Sequence, residues 1–260
     1  MSEGIYIVGD VHGCVRTLAR VLRRAGLIDD RRCWSGGRSS LYFVGDFTDR
    51  GPDGIGVLEL VMRLQDQAQS AGGHIGAILG NHDVFLLAAD RFGRARPSHA
   101  FVAQWRRNGG RVADLERLRA RHRAWLASHP AMQRVGDVLL VHADTVLYGA
   151  FGDTPEAVNA AVAAIVASDD EEVWDVLCAC LTAREAFLGP QGAARVRAFL
   201  RQFGGTRIVH GHTPIPLRLG CAPERVREPY IYADGLCVNV DGGMMLGAPG
   251  FVYRVDQPET

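Results

Sequence analysis

Gly9-Asp10-Val11-His12-Gly13, Gly45-Asp46-Phe47-Thr48-Asp49-Arg50-Gly51 and Gly80-Asn81-His82-Asp83 decide how this 260-residue chain is read. Each follows or completes a short apolar run, Ile5–Val8, Leu41–Val44 and Ile75–Leu79, that reads as a strand. Two more histidines stand in the same setting, in Leu140-Val141-His142-Ala143-Asp144 and Gly211-His212-Thr213-Pro214. Oxygen and imidazole donors thus recur at strand ends, where ligands of open α/β sheets bind.

Working outward, Val138–Val141, Arg207–Val209, Cys237–Val240 and Phe251–Val255 complete the strand candidates. Amphipathic helical patterns lie between them. In Val15–Ala25, Leu18, Val21 and Leu22 share one face and arginines occupy most of the other. Val57–Leu64 and Val84–Ala89 behave similarly, with Asp83 as an N-cap for the latter, and Val112–Ala127 reads as one longer helix. Alternating strands and helices predict an α/β fold. The length suits a single domain over residues 1–260, with the Ala-rich stretch Thr145–Gly205 as a helical insertion or cap beside the site. Asp241-Gly242-Gly243 reads as a tight turn. His74, His99, His122 and His129 read as surface or loop residues, and His210 as packing or as a hydrogen-bond partner behind a ligand.

Composition narrows the functional classes. The formal net charge is zero, so no global field favours nucleic acid or anionic lipid. The chain has no lysine, which excludes Schiff-base and P-loop lysine chemistry. Met1-Ser2-Glu3-Gly4 leads into a strand without a leader pattern, and no window is long and apolar enough to span a bilayer, so a cytoplasmic protein is expected. The six cysteines form no C-x-x-C pair and read as reduced thiols.

The chemistry follows from the donors. Asp10 and His12 are two apart at a strand end, and carboxylate with imidazole suits Mn²⁺, Fe or Zn²⁺ better than Ca²⁺. Asp46 has two oxygens with which to bridge. One ion would take Asp10, His12 and Asp46, and the other Asp46, Asn81, His142 and His212. Ions about 3.5–4 Å apart can activate a water and clamp a phosphoryl oxygen. His82, beside Asn81, is the candidate acid, with Asp49 orienting its ring and Arg50 holding phosphate oxygens. Each motif alone could be a helix cap or a turn; five in order favour ligation.

The order GDVHG, GDFTDRG, GNHD, HAD, GHT resembles the metallophosphoesterase superfamily, in particular the phosphoprotein phosphatase branch and its compact bacterial and phage members. The resemblance runs from Ile5 to about Asp241. It implies a four-layer α/β/β/α sandwich and two divalent metal ions, often Mn²⁺. It also places the metal ligands on Asp10, His12, Asp46, Asn81, His142 and His212. By the same resemblance the acid and its orienting carboxylate are His82 and Asp49, and the phosphate-binding arginines are Arg50 and Arg184, the latter within Leu181-Thr182-Ala183-Arg184-Glu185. Pro214 replaces the second histidine of the wider superfamily's GHxH, which points away from many phosphodiesterases and nucleases.

The expected activity is hydrolysis of phosphomonoesters, of phosphoserine and phosphothreonine in proteins first, by direct attack of an activated water on phosphorus. The expected partners are accordingly a phosphorylated protein or a small phosphate ester, not nucleic acid or membrane. Symmetrical diadenosine tetraphosphatases are the enzymatic alternative. Ile78-Leu79-Gly80-Asn81-His82-Asp83 with Leu86-Leu87-Ala88 resembles theirs, although they tend to lack the aspartate that is Asp49 here. A metal-containing binding module is the non-enzymatic alternative, which would leave His82, Asp49 and Arg50 without a purpose.

Overall fold

The computed structural model describes residues 4–94 and 96–255, so Met1-Ser2-Glu3, part of the expected leaderless start, lies outside the described residues. It has two sheets. The first comprises β1 (Ile5–Val8), β2 (Ser40–Phe43), β3 (His74–Ala77) and, as β9, Tyr253–Arg254, in the order β3-β2-β1-β9. The second comprises β4 (Met132–Val135), β5 (Val138–Val141), β6 (Arg207–His210), β7 (Tyr230–Tyr232) and β8 (Cys237–Asn239), in the order β4-β5-β6-β8-β7. In both, the central pairs are parallel and the edge strands β9, β4 and β7 are antiparallel.

Alternation along the strands builds the layers. Ile7, Tyr42, Val44 and Ile78 from the first sheet pack with Val138, Leu140, Val209 and Val238 from the second in a core between the sheets. Their neighbours Val8, Leu41, Phe43, Leu139, Val141, Ile208 and Cys237 face outward into the apolar layer beneath the helices. The fold is therefore a helix–sheet–sheet–helix sandwich, as the resemblance implied.

The helices are α1 (Val15–Arg24), α2 (Gly54–Ser70), α3 (Asn81–Gly93), α4 (Ala100–Arg107), α5 (Val112–Arg117), α6 (Ala120–Ala127), α7 (Pro155–Ala167), α8 (Glu171–Thr182), α9 (Gly192–Phe203) and α10 (Ile215–Leu219). Local chemistry starts several of them. Asp53 accepts from the Gly56 N–H at 2.8 Å, Thr154 caps α7 ahead of Pro155, and Asp170 caps α8. α1 buries Leu18, Ala19, Val21 and Leu22 and leaves Arg16, Arg20, Arg23 and Arg24 exposed. α7, α8 and α9 lie within the stretch expected to be helical, between β5 and β6.

Four local expectations change. The single helix Val112–Ala127 is two helices, because Leu118 and Arg119 are extended and the His122 ring takes the Arg119 N–H at 3.1 Å. α3 begins at Asn81, with Gly80 rather than Asp83 at its cap. β4 and β7 were not anticipated, since edge strands of three or four residues carry little periodicity. His99 and His122 are buried, paired with Glu171 at 3.0 Å and Glu59 at 2.9 Å; the glutamate partners, distant in sequence, made burial possible. All six cysteines are free. No described helix is long and apolar enough to cross a membrane.

Candidate metal centre

Each motif residue sits just past a strand, and the backbone there turns sharply. His12, Asp46, Asp49, Arg50 and His212 have φ between 45° and 70°, five of the nine described non-glycine residues with positive φ. Left-handed backbone at non-glycine residues is strained and persists only where surrounding bonds hold it. Here those bonds are visible. The His12 N–H donates to the Asp46 carbonyl at 2.8 Å, and the His212 N–H donates to both Asp10 oxygens at 3.1 Å. Asp83 accepts from Asp46 N at 2.9 Å, Phe47 N at 3.1 Å and Gly80 N at 3.0 Å, locking the loop after β2 to the start of α3.

Glycine permits the approach of these loops. A Cβ on Gly80 would lie 2.2 Å from Asp46 Oδ1, and one on Gly211 would lie 2.1 Å from Asp10 Oδ1.

The histidine tautomers can be deduced from their partners. His12 Nδ1 lies 2.9 Å from the Thr48 carbonyl, and His142 Nδ1 lies 2.8 Å from the Val44 carbonyl. His212 Nε2 lies 3.0 Å from the Thr182 carbonyl at the end of α8. A carbonyl only accepts, so the proton is on those nitrogens and the lone pair is on the other. His12 Nε2, His142 Nε2 and His212 Nδ1 are thus lone pairs turned inward. Burial keeps all three imidazoles neutral: it lowers His12 to about 3, lowers His142, and lowers His212 well below the usual value, helped there by His142 and the Arg184 charge.

These lone pairs meet further acceptors. Asn81 Oδ1 is 2.9 Å from His142 Nε2 and 3.0 Å from His212 Nδ1. Asp46 Oδ2 is 3.4 Å from His12 Nε2, and its Oδ1 is 3.5 Å from His142 Nε2. Asp10 Oδ2 is 3.9 Å from His12 Nε2. Two groups fit one cation each, His12 with Asp46 and His82, and Asp46 with His142 and His212. Acceptors packed this closely, with few donors among them, repel unless a cation lies between them, so the donor set fits divalent cations, with Asp46 common to both groups.

His82 is the third member of the first group, which Asp10 adjoins 3.9 Å from His12 Nε2. Its Nδ1 is 2.9 Å from Asp49 Oδ2, its ring centroid is 4.7 Å from that of His12, and its buried Nε2 has no hydrogen-bond partner. Arg50 donates from Nε to the Asn108 carbonyl at 3.3 Å and holds NH1 3.2 Å from His12 Nε2. Arg184 is exposed, follows the end of α8, and acts on the His212 charge. The structure therefore brings Asp10, His12, Asp46, Asn81, His82, His142, His212, Asp49 and Arg50 together, while Arg184 shows no hydrogen bond to them.

Sequence reading missed three supporting residues. Trp105 Nε1 donates to both Asp49 oxygens at 2.9 Å. The Tyr148 hydroxyl accepts from His142 N at 3.1 Å and Ala143 N at 3.2 Å. Neither carries a local signal. Asp241 is the third: instead of only making a turn, it is a buried carboxylate against Asp10, and burial pushes it up to about 7. Its position after a strand, like those of Asp10 and Asp46, was the available signal.

Comparison with known proteins agrees with this geometry. The calcineurin-like phosphoesterase family model matches residues 4–216. A symmetrical bis(5'-nucleosyl)-tetraphosphatase of Acidovorax sp. (strain JS42) is 36% identical over 143 residues, 54% of this chain and 43% of that protein. Shewanella-like protein phosphatase 2 of Arabidopsis thaliana is 34% identical over 88 residues, 34% of this chain and 22% of that one. The matched segments thus span less than half of these curated relatives. The fold resembles that of a cold-active protein-tyrosine phosphatase of a psychrophile Shewanella sp., with a TM-score of 0.71 and 24% identity over 97% of this chain and 75% of the other. With the family model covering most of its length and the donor-rich strand ends lying inside the match, the chain belongs to the calcineurin-like phosphoesterase family.

Proposed function

We propose that this protein hydrolyses phosphate monoesters with two divalent cations, Mn²⁺ first and Fe or Zn²⁺ as alternatives, and that phosphoserine or phosphothreonine in proteins is its substrate class. The cations would be held by Asp10, His12 and Asp46 on one side and by Asp46, Asn81, His142 and His212 on the other. Such ions lower the pKa of a coordinated water and withdraw charge from phosphoryl oxygens.

The chain's own residues supply the rest. Arg50 and Arg184 bind the non-bridging oxygens and orient the ester for in-line attack. His82 carries a proton on Nε2 to the departing alkoxide, while Asp49 fixes its Nδ1 and so the orientation of the ring. The observation behind the monoester reading is the Asp49–His82 pair, 2.9 Å apart and buried. It matters most for an alkoxide, a poor leaving group that requires protonation.

A second reading is symmetrical cleavage of dinucleoside tetraphosphates. Support comes from the Acidovorax relative, which is named for that activity. Turnover of a phosphothreonine peptide and of diadenosine tetraphosphate by the Mn²⁺-loaded protein, side by side, separates the two. Efficient peptide turnover that is lost in Asp10→Ala supports the first reading; preference for the dinucleotide replaces it with the second.

A further inference from the structure

Asp241 follows β8, beside β6, whose end carries His212, so the second sheet presents two groups to Asp10. One is the His212 N–H, which donates to both Asp10 oxygens. The other is the Asp241 carboxylate. The approach is close: a Cβ on Gly9 would lie 2.9 Å from Asp241 Cα and 2.0 Å from the Val240 carbonyl oxygen. Asp241 is fixed by its own backbone, since its N–H donates to Asn239 Oδ1 at 2.8 Å and its carbonyl accepts from Ile215 N at 2.9 Å.

The side chain is 1% exposed. Its Oδ1 accepts from the Gly243 N–H at 3.0 Å, the bond of an Asx turn. Its Oδ2 is buried without an N–H or O–H donor, and the side chain lies within hydrogen-bonding reach of the Asp10 carboxyl. Asparagine would make the same turn through its amide oxygen, so the turn does not require a carboxylate. The second oxygen sets one carboxyl group against another in the core with no backbone or side-chain donor to satisfy it, which by itself destabilises the fold.

We propose that Asp241 is a positioning residue of the centre: a third buried carboxylate that holds Asp10 in a field favouring divalent cations, at a cost to the cation-free protein. The proposal rests on the reading of the site as a two-cation centre. Asp10 and Asp46 alone supply two negative charges among otherwise neutral ligands, and Asp49 is already engaged by His82 and Trp105. Asp241 adds a third carboxylate without taking a ligand position.

The test uses Asp241→Asn, which keeps the turn acceptor and removes the charge, with Asp241→Ala as a control for the new amide donor. Mn²⁺ binding is measured by calorimetric titration of chelator-stripped protein, and thermal midpoints are measured with and without Mn²⁺ at pH 8. Both variants should bind Mn²⁺ about 10- to 100-fold more weakly. The stripped Asp241→Asn protein should melt above the stripped wild type, and the order should reverse at saturating Mn²⁺. Unchanged affinity, or a lower midpoint for stripped Asp241→Asn, overturns the proposal. Wild type and Asp10→Ala are titrated alongside. Binding by wild type that Asp10→Ala weakens and Asp241→Asn does not would sink only this inference; no binding by wild type would sink the centre itself.

Discussion

Asp49 Oδ2 lies 2.9 Å from His82 Nδ1, inside the core and away from solvent. A buried carboxylate there fixes the ring and leaves Nε2 as the position from which a proton can depart. His82→Asn should therefore lower turnover of an alkyl phosphate by about 10²- to 10⁴-fold. The loss on an aryl phosphate such as p-nitrophenyl phosphate should be much smaller, because that leaving group needs little protonation. Asp49→Asn should show the same substrate dependence with a smaller loss. Equal losses on both substrates would remove His82 from the acid role.

Trp105 holds the other end of this arrangement, with its indole N–H 2.9 Å from both Asp49 oxygens. Trp105→Phe keeps most of the buried ring and deletes the donor. A buried hydrogen bond to a charged group is worth about 1.5–3 kcal/mol, so denaturant unfolding should show a loss of that order. Turnover of alkyl phosphates should fall along with it, since Asp49 is then free to shift. Full stability in the variant would mean that the indole N–H is dispensable.

Asp46 faces two groups of ligands with its two oxygens, Oδ2 towards His12 and Oδ1 towards His142. Asp10 lies 3.9 Å from His12 of the first group and meets the second through the His212 backbone N–H, not through a ligand atom. Asp46→Ala should therefore abolish tight binding of both cations, whereas Asp10→Ala should retain one. Elemental analysis of the protein after dialysis against Mn²⁺ and gel filtration gives the two stoichiometries. Equal metal content in the two variants would contradict the bridging role.

These expectations divide what the sequence reveals from what it hides. Asp10, His12, Asp46, Asn81, His142 and His212 were legible because each follows a strand and most stand beside a glycine whose missing Cβ lets another loop close in, as Gly80 does for Asp46 and Gly211 for Asp10. The α/β alternation was legible because central strands such as Leu41–Val44 are apolar runs, and the layering followed from the family resemblance. The partners that set each ring's tautomer were not legible. The Thr48, Val44 and Thr182 carbonyls are backbone atoms, and any residue type supplies one. Trp105 lies on a helix 56 residues beyond Asp49, so only the packing of α4 on α3 brings it there. Asp241 was visible but was assigned to a turn, because a strand-end aspartate followed by two glycines satisfies the turn rule just as well.

Arg50 lies in the loop after β2 with NH1 3.2 Å from His12 Nε2, and Arg184 follows the end of α8, exposed, with its charge acting on His212. Under the proposed function Arg184 should bind the substrate phosphate in ground and transition states alike, and Arg50 more tightly in the transition state. Arg184→Ala should raise KM several-fold with a small change in kcat, and should weaken competitive inhibition by inorganic phosphate to the same extent. Arg50→Ala should lower kcat as well, since its guanidinium lies beside His12. An Arg184→Ala protein with unchanged KM and phosphate inhibition would place that side chain outside the site.

His129 offers a test of acid sensitivity away from the metal ligands. Its ring packs edge-on to Trp125 at 4.2 Å, its Nε2 has no hydrogen-bond partner, and burial lowers its pKa to about 4. In the unfolded chain the ordinary value of about 6.5 returns. Between those values the unfolded state takes up a proton that the folded state refuses, so stability falls as pH drops from about 6.5 towards 4. The loss assignable to His129 between pH 7 and pH 5 should be on the order of 1 kcal/mol, allowing for a ring that is not fully enclosed. His129→Leu keeps an apolar contact with Trp125 and cannot protonate. Urea unfolding of the chelator-treated variant and wild type at both pH values cancels the contributions of the ligand histidines. The variant should lose less stability than wild type on going to pH 5, and equal losses would show that His129 accepts its proton without unfolding.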